Sequence, residues 1–421
     1  MPRKPLLPMI LTASLVFGIS TVYAEVNSEK TTNHTSQSTS NKREWIGAWS
    51  ASQQPAYDSE ISHSGFKNQT VRMIVHPHAS GSDIRIRLSN TFGSQPLTFG
   101  KVDAARAGKE AETISGSHRG ITFGGKSSVT IPPGAEVLSD PTPFEVTDGE
   151  NLAVSVYIPD ESGPTTWHKL SRQNSYISTQ GNHTSEDDTT SFITKTDSWF
   201  WLSGVDVLTK SSKKNRVIVT LGDSITDGFA STVDANRRWP DILDDRLDKE
   251  YPGENFSILN AGISGNKILR DSPIYGVNAL ARIDRDVLTQ TGVTDVILLE
   301  GINDIGHLPH TLDANQIIAG MQQIAAQVHA KGLKIYAGTL TPFRGFRDTY
   351  FTEEGEKVRK EVNSWIRTSG VFDGVIDFEH AVADPNNSEK LLPAYDFDHL
   401  HPNDEGYKVM ADSIDLSIFK K

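Results

Sequence analysis

The chain contains no cysteine. Disulfides, thiol catalysis and cysteine metal sites are therefore excluded, and the folded protein must rely on its core. Basic charge is scarce as well: 41 Lys and Arg stand against 53 Asp and Glu, a formal net charge of -12. No basic run or Lys/Arg-striped helix offsets that balance, which argues against nucleic acid or anionic membrane as the main partner. Long apolar runs are also missing. The nearest is Leu6 to Ile19, too short and interrupted for a transmembrane helix. With Arg3 and Lys4 before it and Val22-Tyr23-Ala24 after it, residues 1–24 read as a cleaved signal peptide. An uncleaved anchor is the competing reading. The expectation is a secreted or periplasmic protein with no stable membrane anchor.

What is present is ordinary for a globular protein: 22% charged and 36% hydrophobic residues. A length of 421 residues suggests two domains. Residues 25–43 are polar and almost free of apolar side chains, which predicts a disordered tether. From 44 to 210 the pattern is one of short alternating strands. Ile84, Ile86 and Leu88 fall on one face of a run whose other face holds Arg85, Arg87 and Ser89. Further strands are expected over 71–76, 97–99, 121–123, 129–131 and 152–158, separated by turns rich in Gly, Pro, Asn and Asp. This predicts an antiparallel β-sandwich of jelly-roll type. Trp167, Tyr176, Trp199 and Trp201 would bind glycan if exposed; core or interdomain packing is the plainer use. The run Trp199-Phe200-Trp201-Leu202 suits a hydrophobic joint between domains.

A polar linker over 208–215 leads into a different pattern covering 215–421. Strands are expected over 216–221, 256–260, 295–299, 334–340 and 374–377, and helices over 239–250, 276–290, 313–331 and 353–368. Strand and helix alternate at the lengths of parallel βαβ units, predicting a three-layer α/β/α, flavodoxin-like domain with a five-stranded parallel sheet.

Four short motifs stand at or near strand ends. Val217 to Leu221 stops at Gly222, and Asp223-Ser224 follow where the chain turns into a helix, placing a serine at the carboxyl edge of the sheet. After the second strand comes Asn260-Ala261-Gly262-Ile263-Ser264-Gly265-Asn266, after the third Glu300-Gly301-Ile302-Asn303-Asp304, and near the end Asp398-His399-Leu400-His401. Ester hydrolysis needs a hydroxyl, a base, a carboxylate to orient the base, and donors for the oxyanion. These segments hold each part once.

Gly222-Asp223-Ser224, Gly265, Gly301 to Asp304 and Asp398 to His401, in that order, resemble the SGNH hydrolases, or GDSL esterases and lipases. Ile225 replaces the Leu of the four-letter motif. The resemblance implies Ser224 as nucleophile, His401 as general base, Asp398 as its orienting carboxylate, and Ser224, Gly265 and Asn303 as oxyanion donors. It implies no cofactor and no metal. A β-sandwich ahead of such a domain is similar to one branch of secreted acyl esterases, some called lipases or lysophospholipases and others found with xylan-degrading enzymes.

His399 lies too close in sequence to Asp398 to share it while facing Ser224. Asp396 suits loop stabilisation, and Asp223, Asp227 and Asp304 suit turns and helix caps. His307 and His310 lack a third metal ligand nearby. Arg237, Arg238 and Trp239 line the pocket or pack. The expected activity is hydrolysis of short-chain acyl esters, such as O-acetyl groups on carbohydrate, with lipid esters as the alternative. A reading of another class is an exported carbohydrate-binding protein whose α/β domain has lost activity.

Overall fold

Alternation decides the first half. Ile84, Ile86 and Leu88 are fully buried, whereas Arg85 and Arg87 on the opposite face pair with Asp206 at 3.3 Å. The computed structural model describes residues 43–210 and 214–420. The expected signal peptide, nearly all of the tether and the middle of the linker lie outside the described residues. One antiparallel sheet runs Trp45–Ser50, Leu202–Leu208, Gly81–Ser89, Thr142–Val146. A second runs Phe192–Thr196, Ser175–Gln180, Gln69–Val75, Leu152–Ile158, Lys101–Arg106, Arg119–Ile121. Val71, Met73, Val154 and Val156 of the second sheet share one buried core with Ile84, Ile86 and Leu88 of the first. The strand expected over 121–123 lies two residues earlier, at Arg119–Ile121.

The second half carries five parallel strands: β1 (Asn215–Gly222), β2 (Asn255–Gly262), β3 (Val293–Leu299), β4 (Lys334–Gly338) and β5 (Gly374–Ile376). Their order is β2-β1-β3-β4-β5, the flavodoxin-like order, with its switch point between β1 and β3. Burial on both faces shows in β1. Val217, Val219 and Leu221 join one cluster with helices α5 (Ala314–Ala330) and α6 (Glu353–Thr368). Ile218 joins another with α2 (Trp239–Glu250) and α7 (Asp404–Asp412).

Local chemistry sets the ends of these elements. Thr352 accepts from the Gly355 N–H and starts α6 at residue 353. The helix expected over 276–290 begins three residues late, as α3 (Ala279–Ile283), and then widens into a π-turn over Asp284–Leu288. Gly276 sits at φ +75°, outside helical space, and the Asn278 side chain caps the helix on the Ala281 N–H. β4 ends at Gly338 instead of 340, because the Leu340 N–H is taken by the Asn363 amide.

Trp45–Ser50 lies along β2, the sheet edge: the Gly47 N–H donates to Thr291 O at 2.8 Å, and Ser257 Oγ donates to Gly47 O at 2.7 Å. His78 Nδ1 donates to Ile258 O at 2.7 Å, and its Nε2 lies 3.3 Å from Asp241. The aromatic run is split in its use. Arg238 of the second half lies over the Trp199 ring at 5.8 Å, whereas Trp201 packs on Phe66 and Phe99 inside the first half. Trp167, Tyr176, Trp199 and Trp201 are all buried. Core and interdomain packing, the plainer use of these four, is the one the structure shows, so their faces are not open for stacking on sugar.

Candidate active site

β1 delivers its last residue, Gly222, against Thr226 so closely that a Cβ there would meet Thr226 Oγ1 at 2.2 Å. Only glycine permits so tight a strand-to-helix turn. Asp223 caps the short helix α1 (Ser224–Asp227) by accepting the Ile225 N–H at 3.0 Å, and Ser224 heads that helix. From the C-terminal loop, His401 Nε2 reaches Ser224 Oγ at 2.8 Å. His401 Nδ1 lies 2.9 and 3.0 Å from the two Asp398 oxygens. Asp398 also accepts the backbone N–H of His401 at 2.9 Å, so the three-residue spacing closes a small turn that aims ring and carboxylate at each other. Burial would raise the Asp398 carboxyl, but the hydrogen bond and charge of His401 outweigh it and hold the group below its usual value.

The other expected donors surround the same serine. Gly265 sits at φ +79°, and a Cβ there would strike the Tyr275 ring at 2.2 Å. Asn303, on helix α4 (Ile302–Gly306), accepts the Tyr350 hydroxyl on Oδ1 at 2.8 Å. Its Nδ2 is buried with no hydrogen-bond partner. Ser224, Gly265, Asn303 and His401 all line one cavity of about 450 Å³, closed on other sides by Leu170, Phe229 and Phe346. Such an arrangement can shift the Ser224 proton to His401 and offer an N–H₂ to a developing oxyanion.

All of the competing residues except His307 lie elsewhere or serve the frame. His399 is exposed and pairs with Asp396 at 2.6 Å. Arg238 pairs with Asp241, Arg237 with Asp404, and Trp239 is buried in the core. Asp304 accepts the N–H groups of Ile268 and Leu269, and burial pushes its carboxyl up to about 6. His310 bonds Ile305 O, whereas His307 lines the cavity, stacked on Tyr275 at 4.7 Å. Burial, reinforced by Lys267, Arg347 and Arg270, lowers His307 to about 4, so it is uncharged near neutrality.

Sequence reasoning missed three supports. Tyr350 orients the Asn303 amide; its place after β4, at the same sheet edge, was the available signal. Arg282 is fully buried and bonds Gly222 O at 3.0 Å, Ala261 O at 2.7 Å and the Asn266 side chain at 2.9 Å, tying together the ends of β1 and β2. Its only sequence mark was a charge inside an apolar helical stretch. Glu300 lies 3.7 Å from Arg282, and neither of its carboxyl oxygens is hydrogen bonded. Burial, with Asp223 adding, raises its pKa well above the usual carboxylate range.

The parallel sheet of order 2-1-3-4-5 brings a serine, a histidine and an asparagine together at one cavity near its switch point. Residues 220–409 match the GDSL-like Lipase/Acylhydrolase family, and this part of the chain is a domain of that family. Several solved structures are similar. A GDSL-like lipase from Bacteroides thetaiotaomicron is 20% identical, with 49% of this chain and 88% of that one covered and a TM-score of 0.37. A carbohydrate acetylesterase from Sinorhizobium meliloti is 17% identical over 47% of this chain and 94% of that one, TM-score 0.38. The aryl esterase of M. smegmatis is 17% identical over 47% and 95%, TM-score 0.39. No curated protein matches.

Proposed function

We propose that this chain is a secreted serine esterase that hydrolyses carboxylic esters through an acyl-enzyme. The observation that carries the reading is the unbroken chain Ser224 Oγ–His401–Asp398 in the wall of a cavity that also presents the unpartnered Asn303 Nδ2. His401 Nε2 takes the Ser224 proton as Oγ adds to the ester carbonyl. The resulting oxyanion receives the N–H of Ser224 and Gly265 and the Asn303 amide. Collapse passes the proton from His401 to the leaving alcohol, and water repeats the sequence to free the acid. No step calls for a metal or cofactor.

The substrate we favour is a short acyl ester, such as O-acetyl on carbohydrate: about 450 Å³ lies toward the lower end of the volumes ligand pockets span. A second reading, lipid esters, is favoured by exposed apolar side chains near the opening. Leu308, in the lining, is 68% exposed; Phe397, against the cavity residue Phe229, is 60% exposed. The all-β half we read as a jelly-roll-like sandwich that braces the site.

The test compares wild type with Ser224→Ala on p-nitrophenyl acetate, butyrate and palmitate and on acetylated xylan. The expected loss in kcat is on the order of 10⁴-fold or more, with acetate released from xylan by wild type only. A mutant as active as wild type removes Ser224 as nucleophile, and preference for palmitate selects lipid. Wild type inactive on all four substrates returns the non-catalytic binding reading.

A further inference from the structure

We infer that the all-β half is a working part of the hydrolytic site, with His168 as the positioning residue that holds the oxyanion loop through Asp227. This rests on the esterase reading above. His168 ends the strand Thr166–His168 and is buried where the two halves meet. Its Nδ1 lies 2.8 Å from Ser52 O and its Nε2 2.9 Å from Asp227 Oδ1. A carbonyl and a carboxylate both only accept, so both ring nitrogens donate and the ring is an imidazolium. Burial lowers the His168 pKa, but the charge and hydrogen bond of Asp227 and the Ser52 carbonyl outweigh it, and the net shift is upward.

Asp227 closes the helix that Ser224 opens. Its second oxygen accepts the Ser264 N–H at 2.9 Å and the Ser264 hydroxyl at 2.7 Å. Ser264 immediately precedes Gly265. One carboxylate therefore joins the nucleophile's helix, the oxyanion loop and the all-β half. The grip continues along the chain. Leu170 forms cavity wall, Arg172 Nε donates to Ser231 O at 3.0 Å, and the Asn174 N–H donates to Asp234 at 2.7 Å. Oxyanion donors are effective only when preset to the geometry of the transition state. Without His168, Asp227 keeps one partner residue where it had two, and a buried carboxylate short of a donor pulls its surroundings into new positions.

The experiment uses the full chain with His168→Ala, His168→Gln and Ser264→Ala. Active sites are titrated with a fluorophosphonate, p-nitrophenyl acetate is the substrate, and phenylboronic acid, whose serine adduct is tetrahedral, is the inhibitor. For His168→Ala, kcat per titrated site falls roughly 10- to 100-fold, a fraction of what losing a donor outright costs. KM stays within about twofold, and the boronate Ki rises by the factor that kcat/KM loses, as uneven loss of transition-state binding requires. His168→Gln, which keeps one N–H for Asp227, recovers part of the rate. Ser264→Ala, which leaves the junction intact, moves kcat and Ki the same way if His168→Ala does not fold. Unchanged kcat per titrated site and unchanged Ki, with only a lower Tm, would overturn the inference and leave His168 a packing residue. Wild type that cleaves no ester at all fails the esterase reading instead, a separate result.

Discussion

Asn303 carries a buried N–H₂ that bonds nothing, while its carbonyl oxygen is fixed by Tyr350. An unsatisfied buried donor costs about 1–3 kcal/mol, a penalty that makes sense where the transition state brings the acceptor. Asn303→Ala is expected to lower kcat by about 100- to 1000-fold, read from steady-state kinetics with KM little changed. Tyr350→Phe removes one hydrogen bond worth about 1 kcal/mol, so kcat should drop roughly fivefold. A Tyr350→Phe enzyme as fast as wild type would mean the amide keeps its orientation unaided. Of the two histidines that flank Leu400, His399, at φ +73°, turns outward to Asp396, and His401 turns inward. The short spacing from Asp398 made that assignment legible. Tyr350 was marked only by its place after β4, because a tyrosine in a loop declares no partner.

Among the elements, the turn after β2 is the most constrained. It is held by Asn260, which accepts the Gly262 N–H at 2.8 Å and donates to Thr226 O at 2.7 Å, and by the Ser264–Asp227 bonds. Gly265→Ala meets both a left-handed φ and the Tyr275 ring, so the turn must move. The expected result is loss of at least about 100-fold in kcat, comparable to losing one oxyanion donor. Gly253→Ala, at a position where a Cβ meets nothing within 4 Å, should match wild type. Equal activity for the two variants would remove Gly265 from the site. Helices with clear starts, such as α6 with its Thr352 cap, were readable from sequence. The late start of α3 was not, since the apolar pattern continued through Gly276.

Across the whole molecule, several buried acids hold protons that the unfolded chain gives up. Burial pushes Asp148 up to about 8, helped by Asp248, and Asp223 up to about 7, with Asp304 at about 6. His78 is buried too, but Asp244 and Asp241 more than offset that and raise it to about 10. The unfolded references are about 3.9 for Asp and about 6.5 for His. Each of these groups binds more protons in the folded state than in the unfolded one, so its contribution to stability falls as pH rises. The carboxyl contribution is lost from about pH 4 upward, through about pH 8, and the His78 contribution between about 6.5 and 10. Thermal melts should give a higher Tm at pH 5.5 than at pH 9.5. The reverse order would show that these groups do not keep their protons in the folded state. Asp148 and His78 belong to the all-β half, and Asp248 and Asp241 to α2, so the effect concentrates where the halves meet.

The sequence by itself determined the parallel domain, because β-branched runs buried on two faces admit few other uses, and it marked Ser224 at a strand end as the candidate nucleophile, with His401 and Asp398 as base and carboxylate through the family resemblance of their motif. It also marked the strands of the first half through their alternation. What only the tertiary structure decided was how distant segments meet. Arg282 bridges two strand ends, Tyr350 reaches Asn303 across 47 residues, and His168 reaches Asp227 across 59. No local rule of propensity or periodicity encodes such pairs, since each partner is satisfied only once the whole core has closed around it.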